Sequence, residues 1–529
     1  MGMKHNSLHG YIAAGITVFS LVSTAQAQIA GMGAAPLAMP ERPLGNEPGS
    51  DPAWKVVPRI SLVETLSNNV NLSSSEKQTG LITQVMPGVR VDGRTARMKV
   101  YFDYALSGNF YTNANQSSNT NSYLTTFGTF EAVDNWLFVD FRGAISQQLI
   151  NPFGTQSPST AYYNRNTAQT GTYGISPYIR GQLVGSAEYY LRYNYMYTDS
   201  GAGGFSDITL SQWQGQLRGN TRFQNLRWTI DGSQQSSDYS RGRSYDDERL
   251  RAMLTYRLFP EFSISASGGT ESNNYQSIDM ERKTTYGYGI DWAPTDRTTV
   301  YGYQEERFFG NGHNILLSHR FPLSTIRYTD VRDVSFIPGQ NTTAGMGTIF
   351  DMYFDQFASL IPDPGARTNF VRTMLNQAGI SPNAQVTSDY LANRPRVQRR
   401  QQLSIILYGS RNSLTFLAAR NDNEALSLVP GAPGNAISNL SRIEQEGYGI
   451  YFSHRLTPLT ALNASGYREE TTTSSQLAAK TTMTTIQAGV STNLGAKTVG
   501  SLNARYTEFE SPVNPYNETA LIGAVAIFF

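Results

Sequence analysis

Beyond its first ten residues the chain of 529 residues carries only three histidines, His313, His319 and His454, and it has no cysteine. A thiolate or histidine-rich metal centre therefore lacks a ligand set, and haem attachment through Cys-x-x-Cys-His is excluded. Two of the histidines recur in one setting, Ser318-His319-Arg320 and Ser453-His454-Arg455, each just before a Pro-containing turn. Adjacent residues on a strand point to opposite faces, so neither tripeptide can align a serine nucleophile with its histidine base. The repetition reads instead as the end of a repeated hairpin. No Gly-x-Ser-x-Gly elbow, phosphate loop or dinucleotide fingerprint occurs. No catalytic, cofactor-binding or metal-binding residue is assigned, and an enzyme is not expected; a hydrolase would have to depend on His319 or His454.

What remains is charge set out with period two. In Arg97 to Leu106, Met98, Val100, Phe102, Tyr104 and Leu106 share one face, with Arg97, Lys99, Tyr101 and Asp103 opposite. Asp140 and Arg142 oppose Leu137, Val139 and Phe141, and Glu188 and Arg192 oppose Tyr189, Leu191 and Tyr193. Such alternation makes strands with one apolar and one polar face. In a membrane barrel the apolar face meets lipid and the charged face lines the lumen. Arg97, Lys99, Asp103, Asp140, Arg142, Glu188 and Arg192 are the candidate lumen-lining residues, their charges compensating one another.

The elements that would position them are many antiparallel strands. Short connections at Asp92-Gly93, Asp134-Asn135, Phe223 to Asn225, Phe259 to Glu261, Ala293 to Asp296, Phe321 to Ser324, Arg411-Asn412, Thr457-Pro458 and Gly495-Ala496 tend to alternate with longer polar ones, such as Leu149 to Asn166 and Thr198 to Ser206. That asymmetry predicts an all-β, antiparallel transmembrane barrel of roughly 22 strands, between about 18 and 26, occupying 54–529 with tight periplasmic turns. The last strand alternates to a terminal aromatic; Val525, Ile527 and Phe529 resemble the signal read by the barrel assembly machinery.

Residues 1–27 read as a cleavable export signal, with Lys4, an apolar run from Tyr11 to Val22 and Ala25-Gln26-Ala27, too short to span a bilayer. Residues 28–53 read as a flexible Pro/Gly-rich periplasmic leader. One insertion, 337–398, breaks the strand pattern with helical spacing: Phe350, Tyr353, Phe354 and Phe357, then Asp363-Pro364 as a helix start followed by Phe370 and Met374. A helical hairpin is expected, and these six aromatic and methionine residues are the candidate gate or plug. Arg394, Arg396, Arg399 and Arg400 gather where it returns and could draw lipopolysaccharide or an anionic glycan.

The chain holds 42 Lys+Arg against 41 Asp+Glu, and loss of Lys4 with the signal leaves no basic surplus for nucleic acid. The layout resembles the outer-membrane β-barrel family associated with the PEP-CTERM/exosortase sorting system and its exopolysaccharide loci. The resemblance rests on Trp292-Ala293-Pro294-Thr295-Asp296-Arg297-Thr298, Phe321-Pro322-Leu323-Ser324, Ile361-Pro362-Asp363-Pro364 with Arg367, and Phe529. It implies an outer-membrane location, a setting near exopolysaccharide production or export, and no active site. The expectation is a channel or export conduit; the alternative is a docking barrel that anchors a periplasmic or surface partner. Expected partners are outer-membrane lipid and lipopolysaccharide, the assembly machinery, and polysaccharide or periplasmic export components.

Overall fold

The computed structural model describes residues 53–112, 117–183, 187–203, 205–336, 350, 354, 371, 390–392, 394–426, 440–473 and 479–529. Their architecture follows from the alternation. A two-faced strand leaves its backbone N–H and C=O groups pointing sideways, and in lipid each must find a partner. Twenty-two strands, from β1 (Trp54–Ser67) to β22 (Tyr516–Phe528), pair antiparallel with their chain neighbours. The ring closes where β1 pairs with β22, with Leu62 opposite Val525 and Ile60 opposite Ile527. The Phe529 N–H donates to the Pro58 carbonyl at 2.9 Å, so the chain ends locked into that seam. The barrel and the strand count read from turn spacing are both present.

Both ends of the barrel sheet lie on the side of the short turns. β10 (Tyr245–Phe259) and β11 (Phe262–Asn273), for example, are joined by Pro260-Glu261 alone. Asn135 takes a left-handed φ of 54° in the turn between β4 (Asn119–Val133) and β5 (Leu137–Leu149), a conformation asparagine tolerates. Several boundaries differ from the sequence reading. β2 (Gly80–Arg94) runs through Asp92-Gly93, because those residues keep pairing with Lys55 and Trp54 of β1. β16 (Arg396–Tyr408) begins inside the range 337–398, because Arg396 to Gln398 pair with the end of β15 (Ser324–Ser335).

The convex face carries the large exposed hydrophobics, among them Leu62, Ile175, Leu254, Ile450 and Leu502. Exposed aromatics rim the apolar band: Trp54, Trp136, Trp292, Phe321 and Phe529 towards the short turns, and Tyr197, Tyr286 and Tyr448 towards the long connections. An apolar belt between aromatic girdles is the surface a bilayer requires. The molecule is an outer-membrane-type β-barrel. A charge placed at the middle of that belt should be costly: Val525→Arg is expected to lower unfolding stability by roughly 2–4 kcal/mol, measured as a lower urea midpoint for loss of the heat-modifiable folded band on gels.

Candidate conduit lining and mouth

The concave face is polar, and its charges meet across strands. On the inner side of β10, Arg251 is fully buried and lies 3.1 Å from Asp231 of β9 (Leu226–Tyr239) and 3.6 Å from Glu305 of β13 (Thr298–Arg307). Glu305 also accepts from Arg249. One step round, Arg307 is clamped between Glu271 of β11 and Asp333 of β15, the latter at 2.6 Å. Arg251 further donates to the Tyr303 hydroxyl at 3.1 Å and lies over that ring. A buried ion needs such multiple partners, since desolvation otherwise costs several kcal/mol.

Neutral groups continue the lining. Gln84 donates to Ser107 and Asn109 on β3 (Met98–Thr112). Gln398 of β16, Asn421 of β17 (Asn412–Ala425), Gln445 of β18 (Arg442–Arg455) and Glu469 of β19 (Thr460–Thr473) bond in series across four strands. Along these runs each inner side chain bonds to that of the next strand.

The residues singled out from sequence fall as follows. Asp103 takes a two-pronged bond from Arg59 of β1, at 2.6 and 2.9 Å. Asp140 of β5 accepts from Arg192 of β7 (Ala187–Asp199) at 2.7 Å, reaching past β6 (Thr167–Leu183), and Arg192 is steadied by Asn194 at 2.6 Å. Arg142 lies in the same group, 3.6 Å from the Met196 sulfur. Glu188 pairs with Arg218 of β8 (Ile208–Asn220), nearer the short turns, where both are more exposed. Lys99 sits exposed at the start of β3. Arg97 is not on the strand wall: β3 begins at Met98, and Arg97 lies in the preceding turn, paired in the open with Asp134 at 2.8 Å.

Of the gate candidates, Phe350 and Phe354 are helical, buried and stacked with ring centroids 5.7 Å apart. Val371 is also helical and fully buried. Tyr353, Phe357, Phe370 and Met374, and with them the rest of the expected helical hairpin, lie outside the described residues. The arginines near the return do not share a face. Arg396 and Arg400 follow the inner parity of Ser404, whereas Arg399 faces out beside Leu403 and pairs with Asp330 at 2.6 Å, together with His313. Period two on β16 separates them. Val525, Ile527 and Phe529 project from the convex face at the closing seam.

Sequence reasoning missed the mouth. The β5–β6 connection, residues 150–166, folds inward as a self-fastened loop whose ends meet, the Ile150 N–H donating to the Asn166 carbonyl at 2.8 Å. Asn166 donates to Asn151 and Thr155, and Asn164 to Thr155. From this base the loop reaches the inner wall about a quarter of the way round the ring: Tyr162 donates to Glu518 of β22 at 2.5 Å and receives from Arg505 of β21 (Thr498–Glu510) at 3.0 Å. Tyr516 donates to Gln156 and Tyr111 to Ala161. Ala161 and Tyr162 complete an apolar cluster with Leu72, Ile82 and Phe509. Burial, more than the neighbouring Glu518, pushes the Tyr162 phenol well above its ordinary pKa, which keeps it a donor. The asparagine-rich ends Asn151 and Asn164-Arg165-Asn166 were the available signal, as such side chains hold backbone turns.

A second closure comes from the residues that enter β16. Tyr390 bridges to Leu149 at the end of β5, and the Leu391 N–H donates to the Leu149 carbonyl at 2.9 Å. β5 and β16 stand half-way round the ring from each other. Strands about 4.8 Å apart make a ring of 22 at least roughly 34 Å wide if round. The stretch from Tyr390 to Arg396 reaches at most about 22 Å. The mouth is therefore pinched across β5 and β16. Beside the pinch, Tyr239, Tyr245, Tyr275, Phe308 and Phe336 form an aromatic seam along the rim.

No protein-family model matches the chain, and no curated protein sequence matches it. Solved structures similar to it include the siderophore receptor PirA from Pseudomonas aeruginosa, at 10% identity and TM-score 0.39, covering 91% of this chain and 81% of that one. The FrpB iron transporter from Neisseria meningitidis shows 9% identity and TM-score 0.45 over 91% and 82%. BauA, the ferric preacinetobactin receptor from Acinetobacter baumannii, shows 11% and 0.43 over 90% and 81%. These scores and identities are too low to transfer a cargo.

Two outcomes test this lining. Glu305→Gln leaves Arg249 and Arg251 short of a buried counter-charge and should cost about 3–5 kcal/mol, whereas the apolar replacement Arg249→Met with Glu305→Leu should recover much of it, both read from urea midpoints. Because the chain has no cysteine, Ala161→Cys reports on the loop alone. It should resist maleimide in the folded barrel, and Tyr162→Phe should speed its labelling about tenfold by removing a charge-assisted bond.

Proposed function

We propose that the protein is an outer-membrane conduit held closed at its long-loop mouth, with its lumen entered from the periplasmic side. The observation that carries this reading is the gradient of exposure along the inner wall. Near the short turns the inner-facing Lys55, Lys99, Arg218 and Arg227 are exposed or half-exposed, while Asn109, Arg307, Thr507 and Glu518 further along are buried. A vestibule open at one end and closed over at the other by a fastened loop and by the contact of Tyr390 and Leu391 with β5 suits a gated passage.

The cargo we favour is a hydroxyl-rich, uncharged polymer such as an exopolysaccharide. The inner charges are largely matched in pairs, and amides, hydroxyls and tyrosines fill the spaces between them, a lining without strong selectivity for either sign of charge. In this reading the insertion at about Gly345 to Arg394 is the moving element, with Phe350, Tyr353, Phe354, Phe357, Phe370 and Met374 as its gate or plug. Val525, Ile527 and Phe529 serve as the signal that delivers the chain to the assembly machinery. A docking barrel without transport is the second reading, favoured by the hydrogen bonds that fasten residues 150–166 in place.

Planar-bilayer recording separates the two. The full barrel should conduct weakly, and replacing residues 345–394 by a short Gly-Ser link should raise conductance about tenfold or more, since a lumen of this strand number is wide when unplugged. Equal conductance of the two proteins would favour the docking reading.

A further inference from the structure

The two turn motifs Trp292 to Thr298 and Phe321 to Ser324 play no part in the lumen or its mouth, yet the fold brings them side by side. Thr298 of β13 pairs with His319 of β14 (Gly310–Arg320), and the Arg320 N–H donates to the Arg297 carbonyl at 2.9 Å. Between the β12–β13 and β14–β15 turns lies a cleft of about 410 Å³. Arg297, Arg320 and His319 line it, with Asp296 as its one carboxylate and Phe321 and Pro322 as its apolar wall.

Its position on the barrel is fixed by register. Thr298 and His319 face outwards, one step below the lipid-facing row formed by Trp292 of β12 (Glu281–Thr295), Val300 and Leu317, which are paired directly across β12, β13 and β14. Trp292 and Leu317 are exposed on the convex surface. The cleft therefore sits where the apolar belt ends on the short-turn side, at the level of the headgroups of the periplasmic leaflet. Within it the Thr298 hydroxyl is 2.7 Å from His319 Nδ1 and 3.1 Å from the Thr295 hydroxyl, an arrangement that steadies the imidazole with Nε2 left for a ligand. Phe321 packs edge-on against that ring at 4.3 Å.

We propose that this cleft binds the headgroup of a zwitterionic aminophospholipid of the inner leaflet. Arg297 takes the phosphate as a charge-assisted donor, and His319 adds a second contact; Arg320, of opposite parity to His319 on β14, ties the two turns through its backbone. Asp296 takes the ammonium, and an acyl chain lies along Trp292, Val300 and Leu317. A purely anionic headgroup would leave Asp296 facing negative charge. The second Ser-His-Arg differs, since His454 Nδ1 engages the Asn412 amide oxygen at 2.6 Å where the cleft has a threonine.

The test is native mass spectrometry of the full folded barrel in detergent, with phosphatidylethanolamine, phosphatidylglycerol and inorganic phosphate as probes. The wild type should retain phosphatidylethanolamine over phosphatidylglycerol. Arg297→Gln should reduce that retention about tenfold, the size of one lost charge-assisted bond. Asp296→Asn should fold normally and shift preference towards phosphatidylglycerol, which a merely structural aspartate would not do. Lys497→Gln, at another short turn, should change nothing. The proposal fails if Arg297→Gln retains lipid as the wild type does, if the wild type holds both lipids equally, or if inorganic phosphate displaces the lipid.

Discussion

A sheet in lipid has no water to satisfy its edges, and this constraint governs the rest of the molecule. Pairing of β1 with β22 removes both edges at once. Closure sorts every strand into a convex face that must be apolar and a concave face that lipid never touches. Phe529 contributes both an exposed side chain on the convex face and a backbone donor to the seam.

Closure creates a second demand, on the inside. The concave face gathers side chains from many strands into a confined space, so charges that would be solvated on an open sheet become buried neighbours. Arg251, Arg307 and Glu305 are less exposed than most apolar residues of the outer belt. Apart from Asp231 on the neighbouring strand, their partners come from strands two or three places away, as Asp333 does for Arg307, because curvature brings those strands' inner faces together. Such pairs are weak evidence of stability in themselves, but removing one member leaves a buried charge stranded.

The mouth shows how loops exploit the same space. Residues 150–166 do not lie on the rim; they plant Tyr162 between Arg505 and Glu518, five strands round the inner wall from β5. Tyr390 and Leu391 cross towards β5 in turn. Two unrelated segments thus reach across one end of the barrel, while the inner wall becomes more exposed towards the short turns.

Much of this was legible in the chain alone. Period-two alternation fixes which residues face lipid, and it placed Asp103, Asp140, Arg142, Glu188 and Arg192 on one face because side-chain direction in a strand is a local property. The spacing of turns such as Asp134-Asn135 and Phe259 to Glu261 was enough to count strands. The missing part is whatever depends on two distant segments meeting. Nothing local in Asn151 to Asn166 says that the loop turns inward, and nothing in Arg396, Arg399 and Arg400 says which of them reach the lumen until the register of β16 is set. Partner choice inside the barrel, the pinch at its mouth and the cleft that joins two short turns were decided only by closure of the ring, since that event alone determines which strands stand opposite one another.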